Sequence, residues 1–262
     1  FGWDVMAQSD KNFANRYSID GYDQVYRRNE VFLTGLAGRN YLDLHAYKFN
    51  IQEAVDSDNG RDSRQPLVAS SDYSWTAPAS FLGGELNYDS NLQGINRDEL
   101  DEVTGATLNG FGNVLGISGT SGRLSAELEW KRTIIVPGGL AITPLFAVRG
   151  DALTIDTSDL IRSEAFRAIG TAGLDVRWPI LFSTTSATHV LEPVAQIFAR
   201  NNERFAGALP NEDAQSFVFD ASNLLERDKF SGWDRAEGGT RANLALRYSG
   251  TFANGWSANA LI

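Results

Sequence analysis

The sequence feature that most constrains the fold is a strict alternation of apolar and polar residues. Between Leu124 and Lys131 the apolar side chains hold every even position and the polar side chains every odd position. A helix would place Ala126 on the face opposite Leu124 and Leu128, so the alternation predicts a β-strand. Further runs with the same alternation are Leu140–Val148, Ala168–Trp178 and Ala242–Tyr248. The chain is therefore predicted to be an all-β protein.

Turn-forming residues separate the alternating runs. Ala37–Asn40 and Pro137–Gly139 each lie between two such runs, and both are predicted to close an antiparallel hairpin. The number of runs and turns predicts about ten to twelve antiparallel strands. No run of the sequence is apolar enough for a membrane-spanning helix, because the longest charge-free run, Val103–Gly122, consists largely of Gly, Thr, Asn and Ser.

Three positions are predicted to disturb regular strand pairing. Within Tyr41–Glu53 the apolar residues change phase after Ala46, which predicts a β-bulge. Pro144 and Pro193 fall inside apparent strands. Each predicts a bulge or locally weak pairing, because proline has no N–H to donate to a neighbouring strand.

One long segment lacks the alternation. Asn201–Gly239 carries four basic and eight acidic residues, a net charge of −4. Connections of this length are uncommon in compact domains and are usually functional or mobile. We therefore expect this segment to be a long loop with a role of its own.

Composition and motifs argue against most chemical functions. The chain has no Cys, only two His and a net charge of −10, which disfavours a Cys nucleophile, a Cys-ligated metal and nucleic-acid binding. The acidic cluster Asp98–Glu102 and the calcium-like run Asp56–Gly60 are interpreted as polar loops, and the glycines at 110, 112 and 116 as strand glycines. His45 and His189 are each isolated. We predict no catalytic residue, no cofactor and no metal site.

Alternation alone does not decide between a soluble β-sandwich and a membrane barrel, because it leaves open which face is wet. Three features favour the barrel. The runs are long, aromatic residues such as Trp130, Trp178 and Tyr248 end several apolar faces, and the polar faces are densely charged. The competing interpretation is a large soluble β-sandwich or solenoid.

Two motifs carry a resemblance to a known family. His189–Ile197 resembles the L-E-P-x-A-Q strand of the LptD family of LPS-assembly outer-membrane proteins, also called organic-solvent-tolerance proteins. Phe230–Asn243 is similar to that family's aromatic-small-G-x-D-R segment, and its E-G-G-T-R version is similar to alphaproteobacterial members. The motif positions are Leu191, Glu192, Pro193, Ala195, Gln196, Gly232, Asp234, Arg235, Gly238 and Gly239.

The resemblance implies a very large antiparallel transmembrane β-barrel in the outer membrane. A lipoprotein, LptE, would plug the barrel, and periplasmic bridge proteins would deliver lipopolysaccharide to a jellyroll domain that precedes it. The barrel would release this lipid into the outer leaflet without making or breaking a bond. Residues 1–262 would be a central part of one barrel domain, truncated at both ends, with 201–239 as an extracellular loop.

The resemblance also directs attention to basic residues on the polar face of the strands. Lys131, Arg149, Arg177 and Arg247 are candidates for contact with the anionic lipid. The alternative is that they pair with acidic neighbours such as Glu127, Glu129 and Asp175 and stabilise the wall.

One hypothesised contact and two competing functions stay open at this point. Asp234 and Arg235 are hypothesised to form an ion pair with each other. The competing functions for the chain are a passive porin-like channel in the outer membrane and a soluble carbohydrate-binding β-sandwich.

Overall fold

The computed structural model describes residues 1–22, 24–52, 61–100, 116–156, 164–205, 209–214 and 223–262. Within these ranges the chain is all-β, with thirteen antiparallel strands in one sheet and one short helix. Asp56–Gly60, Asp101, Glu102 and the glycines at 110 and 112 lie outside the described residues. The elements are β1 (Gly2–Asp4), α1 (Phe13–Arg16), β2 (Tyr26–Ala37), β3 (Asn40–Ile51), β4 (Leu67–Thr76), β5 (Glu85–Arg97), β6 (Gly119–Lys131), β7 (Ile134–Ile135), β8 (Ala141–Asp156), β9 (Glu164–Arg177), β10 (Ile180–Ser183), β11 (Ala187–Arg200), β12 (Thr240–Phe252) and β13 (Ser257–Leu261).

The strands pair in chain order from β1 to β13, and the sheet is open because β1 and β13 do not pair with each other. Two short strands continue longer ones in the same register. Lys131 pairs with Leu145 and Ile134 with Ile142, so β7 extends β6 along β8. In the same way β10 extends β9 along β11. The described sheet thus has eleven strand positions, within the predicted ten to twelve.

Both strand prolines lie opposite the gaps between these paired pieces. Pro144 accepts a hydrogen bond from the Arg132 amide at 3.2 Å, and Pro193 accepts one from the Trp178 amide at 3.0 Å. Because proline has no N–H, it donates no second hydrogen bond back across the gap. The pairing register is the same on both sides of each gap. The prediction of locally weak pairing is confirmed, and no bulge forms at either proline.

The predicted bulge in Tyr41–Glu53 is wrong over the described part of that run. β3 pairs with β2 in unbroken register from Asn40 to Ile51. The change of phase has another cause. Up to Ala46 the apolar side chains lie on the outer, apolar face, whereas Tyr47, Phe49 and Ile51 lie on the opposite face, and Ile51 is almost fully buried there. The apolar band on the outer face ends near Ala46, and the next apolar side chains lie on the opposite face.

The two faces of the sheet invert the usual pattern of a soluble protein. On the apolar face large side chains are exposed, among them Leu124, Val148, Phe166, Ile197 and Leu244, the last at 81%. On the opposite, polar face charged side chains are buried, among them Arg97, Arg123, Arg149, Asp151 and Arg167. Charged residues are seldom fully buried in water-soluble domains and large apolar faces are seldom left bare. This distribution fits a barrel wall with lipid outside and polar groups inside.

The connections differ between the two ends of the sheet. At one end, the short-turn end, two-residue to eight-residue links such as 38–39 and 77–84 join the strands. At the other end, the long-loop end, the links have 7 to 39 residues, and 201–239 is the longest. The predicted hairpins at Gly38 and at Gly138–Gly139 are both present at the short-turn end, and all three glycines have the positive φ that such turns require. Among the described residues no helix is long and apolar enough to cross a membrane.

Candidate functional site

The long segment without alternation folds back onto the polar face. We call its described residues 209–214 and 223–239 the folded segment. Arginines of six strands, namely β5, β6, β8, β9, β11 and β12, contact it with their guanidinium groups. These side chains project from alternate positions of each strand, so the sheet presents them on one side. The segment is therefore attached to the wall chiefly through charged groups.

The centre of this attachment is a cluster that we call the aspartate clasp, formed by Arg123, Asp213 and Asp234. Arg123 has only 3% of its side chain exposed, and its guanidinium pairs with both carboxylates, at 2.8 Å to Asp213 Oδ2. Each carboxylate also accepts hydrogen bonds from backbone N–H groups at or next to the other aspartate. Asp213 Oδ1 accepts from Asp234 N at 2.9 Å, and Asp234 Oδ2 accepts from Glu212 N at 2.6 Å. The two parts of the folded segment are thereby tied to each other and to β6.

The two carboxyl groups of the clasp differ in their pKa. Burial acts to raise the pKa of Asp213, but the attraction of Arg123 and the hydrogen bonds outweigh it, so the pKa is lowered. Burial raises the pKa of Asp234, against the attraction of Arg123, and repulsion from the Asp213 carboxylate adds to the rise. Asp213 therefore holds the negative charge of the pair more firmly than Asp234 does.

A glycine allows the clasp to close. Gly232 has φ +67°, and a Cβ built there would lie 2.6 Å from both the Asp213 carbonyl oxygen and Oδ1. Any side chain at this position would collide with the turn that holds Asp213 and would strain the backbone. Gly238 meets a similar restriction, because a Cβ there would lie 2.7 Å from the Glu203 amide nitrogen. Close approach of backbone to backbone thus explains both glycines.

Arg97 holds the first part of the folded segment at the end of β5. Its guanidinium binds both carboxylate oxygens of Glu212 at 2.9 Å each, and it also donates to the Ile117 carbonyl at 3.0 Å. The Gly116 amide donates to the same carboxylate at 3.1 Å. A bidentate pair of this kind fixes both distance and orientation.

Arg149 and Arg167 hold the second part of the folded segment by its backbone. Both pair with Asp151, which is fully buried between them, Arg167 at 2.7 Å and Arg149 at 2.9 Å. Arg167 donates to the carbonyls of Trp233 and Asp234 at 2.9 Å each. The Arg149 guanidinium also lies 4.9 Å from the centre of the Trp233 ring, within the range of a cation–π contact. Two strand arginines thus anchor one turn of the segment.

A second group of ion pairs holds the part of the segment nearest to β11 and β12. Arg227 pairs with Glu127 and, at 3.3 Å, with Glu129 on β6. Arg241 of β12 pairs with Glu237 and donates to the Glu226 carbonyl at 2.7 Å. Burial acts to lower the pKa of Arg227, but the nearby Glu127 and Glu129 carboxylates raise it overall, so the group stays charged. A cation of the segment thus pairs with carboxylates of the wall, and a carboxylate of the segment pairs with a cation of the wall.

A family model described as "LptD: LPS transport system D" matches residues 1–262, the whole chain. The chain belongs to the LptD family. This family is the outer-membrane component of lipopolysaccharide transport and inserts the lipid into the outer membrane, and it is a family of transport proteins. The all-β sheet with an apolar outer face agrees with an outer-membrane barrel of this family. The chain has no match among curated proteins.

The LptD-motif residues of 191–196 divide between the two faces of β11. Leu191, Pro193 and Ala195 lie on the apolar face, and Glu192 and Gln196 on the polar face. Gln196 accepts a hydrogen bond from Asn243 at 3.0 Å and donates one to the Leu225 carbonyl of the folded segment at 3.2 Å. The motif strand thus also supports the segment.

In the second LptD motif, Gly232, Asp234 and Gly238 take part in the packing described above, and Gly239 adopts a positive φ of 83° where the chain enters β12. The hypothesis for Asp234 named Arg235 as its partner. Among the described residues the partner of the Asp234 carboxylate is Arg123, which lies 111 positions away in sequence. Arg235 contributes its carbonyl, which accepts a hydrogen bond from Arg149 at 3.3 Å.

The four candidate basic residues are in two different environments. Arg149 is buried beneath the folded segment. The other three lie nearer the short-turn end and have from 37% to 45% of the side chain exposed. Each has a wall carboxylate in reach, Lys131 with Glu129 at 3.3 Å, Arg177 with Asp175 at 2.8 Å and Arg247 with Glu192 at 3.6 Å. Contact of any of the four with lipopolysaccharide stays a prediction.

Sequence reasoning missed the residues that hold the segment, namely Arg97, Arg123, Arg167, Glu212 and Asp213. One signal could have found them. The segment carries a net charge of −4, and the polar positions of β5, β6, β8 and β9 supply arginines near the long-loop end. In the parts of the chain that the structure describes, no group of His, Asp or Glu side chains could hold a metal ion.

Proposed function

We propose that residues 1–262 form part of the wall of a single outer-membrane barrel domain, with 201–239 as an extracellular loop turned into the barrel. The unequal connections support this orientation, because bacterial outer-membrane barrels have short periplasmic turns and longer extracellular loops. The long-loop end then faces outward, and the folded segment covers the outer half of the polar face. The short-turn half of that face lies toward the periplasm and is less covered.

In this proposal the wall moves lipopolysaccharide without making or breaking a bond. The apolar face supplies the lipid contact, and the polar face surrounds the saccharide and phosphate groups of the passing lipid. The single observation that carries the proposal is the exposure of large apolar side chains on one face together with the burial of charged ones on the other. Such a wall holds polar cargo inside and stays anchored in the bilayer.

The candidate contacts with the lipid are the half-exposed bases Lys131, Arg177 and Arg247. Each shares its charge with a wall carboxylate that is itself only partly buried, so an incoming phosphate can replace this partner at low cost. Arg149 has a structural role in the proposal, because its guanidinium is already used by Asp151 and by two carbonyls of the folded segment.

The proposed partners are the lipoprotein LptE and the periplasmic proteins that bring lipopolysaccharide to the barrel. Family membership supports both, since LptD acts within a transport system. LptE would occupy interior space that the folded segment leaves open on the short-turn half of the polar face. The periplasmic proteins would act through parts of the full-length protein other than these strands.

Photo-cross-linking in living cells tests the proposed function. A photoreactive amino acid is placed at Arg177 or Arg247, and for comparison at Arg149, in the full-length protein. The expected result is a lipopolysaccharide adduct at the first two positions and none at Arg149, which the folded segment covers. Absence of adducts at both Arg177 and Arg247, with the protein correctly assembled, would overturn the proposed path along this wall.

A further inference from the structure

A cavity of about 410 Å³ lies at the short-turn end of the sheet, away from the folded segment. We call it the rim pocket. Three stretches surround it: the turn between β2 and β3, the connection between β4 and β5, and the end of β6. Its lining residues are Arg39, Ala77, Pro78, Ala79, Ser80, Gly83, Gly84, Glu85, Lys131, Arg132 and Thr133.

The charge of the rim pocket is opposite to that of the chain. Its lining carries three cations, Arg39, Lys131 and Arg132, and one carboxylate, Glu85, a net charge of +2 in a chain of net charge −10. Glu85 pairs with Arg39 and lies 3.5 Å from Lys131. One carboxylate therefore serves two of the cations, and the pocket keeps an excess of positive charge.

Arg132 is the cation of the pocket that has no carboxylate partner within ion-pair distance in the described parts of the chain. Its side chain lies against the turn at Leu82–Gly83, since a Cβ built on Gly83 would be 2.8 Å from the Arg132 Cζ. One guanidinium nitrogen donates to the Leu82 carbonyl at 3.3 Å. A guanidinium has several further N–H donors, and their fork matches the oxygens of a phosphate.

The turn that supports Arg132 is itself fixed by the neighbouring strand. Phe81 and Gly84 bridge each other across Leu82 and Gly83, both of which have positive φ. The Trp130 indole donates to the Phe81 carbonyl at 2.8 Å. The cationic group is thus held in place before any ligand arrives, which lowers the entropic cost of binding.

The surroundings of the rim pocket identify the kind of molecule that carries the anion. Leu82 is 72% exposed in the turn beside it, Ile134 is 42% exposed on the apolar face, and Trp130 stacks with Phe146 on that face. Exposed apolar side chains next to an aromatic belt mark the level of the lipid headgroups in a membrane barrel. An anion that reaches the pocket from this side is attached to acyl chains.

We propose that the rim pocket binds a phosphate group of a membrane lipid, with Arg132 as its principal ligand and Arg39 in support. The inference rests on the proposed function in one respect, the placement of the short-turn end at a membrane surface. The phosphate has two possible sources with the same chemistry, the diphosphorylated glycolipid anchor of lipopolysaccharide or a glycerophospholipid of the inner leaflet.

The test measures lipid binding to the full-length protein with its partner lipoprotein, in nanodiscs of uncharged lipid. The variants are Arg132→Gln and Arg39→Gln, each made separately. The control is Arg16→Gln, which removes an exposed arginine paired with Asp10 at the opposite end of the sheet. The probes are the diphosphorylated glycolipid anchor, its dephosphorylated form, phosphatidylglycerol and inorganic phosphate. Resistance of each variant to unfolding on heating in detergent reports correct assembly.

We expect Arg132→Gln to weaken binding of a phosphorylated lipid about tenfold, the loss typical of one charge-assisted hydrogen-bonding group. Arg39→Gln should weaken it less, and Arg16→Gln should leave it unchanged. The dephosphorylated anchor should bind all variants alike. Loss confined to the diphosphorylated anchor identifies lipopolysaccharide as the source, and loss confined to phosphatidylglycerol identifies the phospholipid.

Equal binding of both phosphorylated lipids to wild type and to Arg132→Gln would overturn the proposal. So would an equal loss for the dephosphorylated anchor, which would point to a damaged turn. Inorganic phosphate that binds as tightly as the lipids would also contradict it, because the acyl chains would then contribute nothing. The cross-links at Arg177 and Arg247 test the proposed function separately, since neither residue lines the rim pocket.

Discussion

The two halves of the polar face carry the same types of charged residue, but these residues have different roles. In the half near the long loops, Arg97, Arg123 and Arg167 are at most 5% exposed, and each bonds to groups of the folded segment that lie far away in sequence. In the half near the short turns, Lys131, Arg177 and Arg247 are half-exposed, and carboxylates on their own or adjacent strands lie within reach. A buried arginine is satisfied in one geometry only, while an exposed one can exchange partners.

This difference shows that the type of a charged residue on the wall does not determine its role. Burial of a charge removes its water, so the charge must be met by a fixed partner, and loss of that partner is costly. An exposed pair keeps most of its water and contributes little to stability. The covered half is therefore expected to be structural, and the uncovered half is where an anionic lipid finds cations within reach.

The largest effect is expected from Arg123→Ala in the aspartate clasp. It leaves the buried carboxylate of Asp234 and the partly buried carboxylate of Asp213 without their cation, which should lower the free energy of opening of the folded segment by about 3–5 kcal/mol. Hydrogen exchange of residues 223–239 in the assembled protein measures this. Arg247→Ala on the uncovered half is the control and should leave exchange of the segment unchanged. Equal protection in both variants would remove the distinction between the halves.

A smaller loss is expected from Gly232→Ala. The added Cβ meets Asp213 at 2.6 Å, and the positive φ adds strain, so the opening free energy should fall by about 1–3 kcal/mol. Gly138→Ala is matched to it, because Gly138 also has a positive φ but nothing lies within 4 Å of its Cβ position. Exchange of the folded segment should rise in the first variant only. A rise in both would mean that a general loss of stability of the sheet, and not contact with the clasp, is responsible.

A local effect is expected from Arg227→Gln. Its pairs with Glu127 and Glu129 hold one part of the folded segment, and the side chain is 27% exposed, so a loss of about 1–2 kcal/mol is predicted after allowance for solvent screening. Faster exchange should be confined to residues near Asn223–Phe230, while 209–214 keep their protection through Arg97. Loosening of both parts together would show that the segment opens as one unit.

The smallest effect on stability is expected from Arg177→Gln on the uncovered half. Exposed ion pairs contribute about 0–1 kcal/mol, so exchange of the folded segment and thermal unfolding in detergent should not change. Delivery of lipopolysaccharide to the cell surface should fall if this arginine contacts the lipid. A marked loss of thermal stability would instead assign Arg177 to the structural group.

Much of the fold could be predicted because alternation is a local signal. A strand with water on one face and lipid on the other alternates polar and apolar residues along the sequence, as Leu124–Lys131 shows. The phase change after Ala46 was misread for a physical reason. Apolar residues mark burial on either face of a sheet, and Ile51 is buried on the polar face.

The candidate site was less predictable because its contacts are not local. Asp234 is separated from Arg123 by 111 positions, and Glu212 from Arg97 by 115. Charge balance indicates that an acidic segment needs basic partners, yet it does not choose among the arginines of neighbouring strands. The motif glycines were recognised from the sequence motif alone. The structural reason for Gly232 is its close approach to Asp213, which only the structure shows.

The central claim is that the folded segment lies on the inner, polar face of the wall, held by its charges. A cysteine pair at Glu127 and Arg227 tests it most directly in the outer membrane of living cells, since these 262 residues contain no other cysteine. The two side chains are in contact, so a short bis-maleimide should join them efficiently. A pair at Leu244 and Arg227 should not be joined, because Leu244 is on the apolar face. Failure of the first pair to cross-link, or equal yields from the two, would contradict the account.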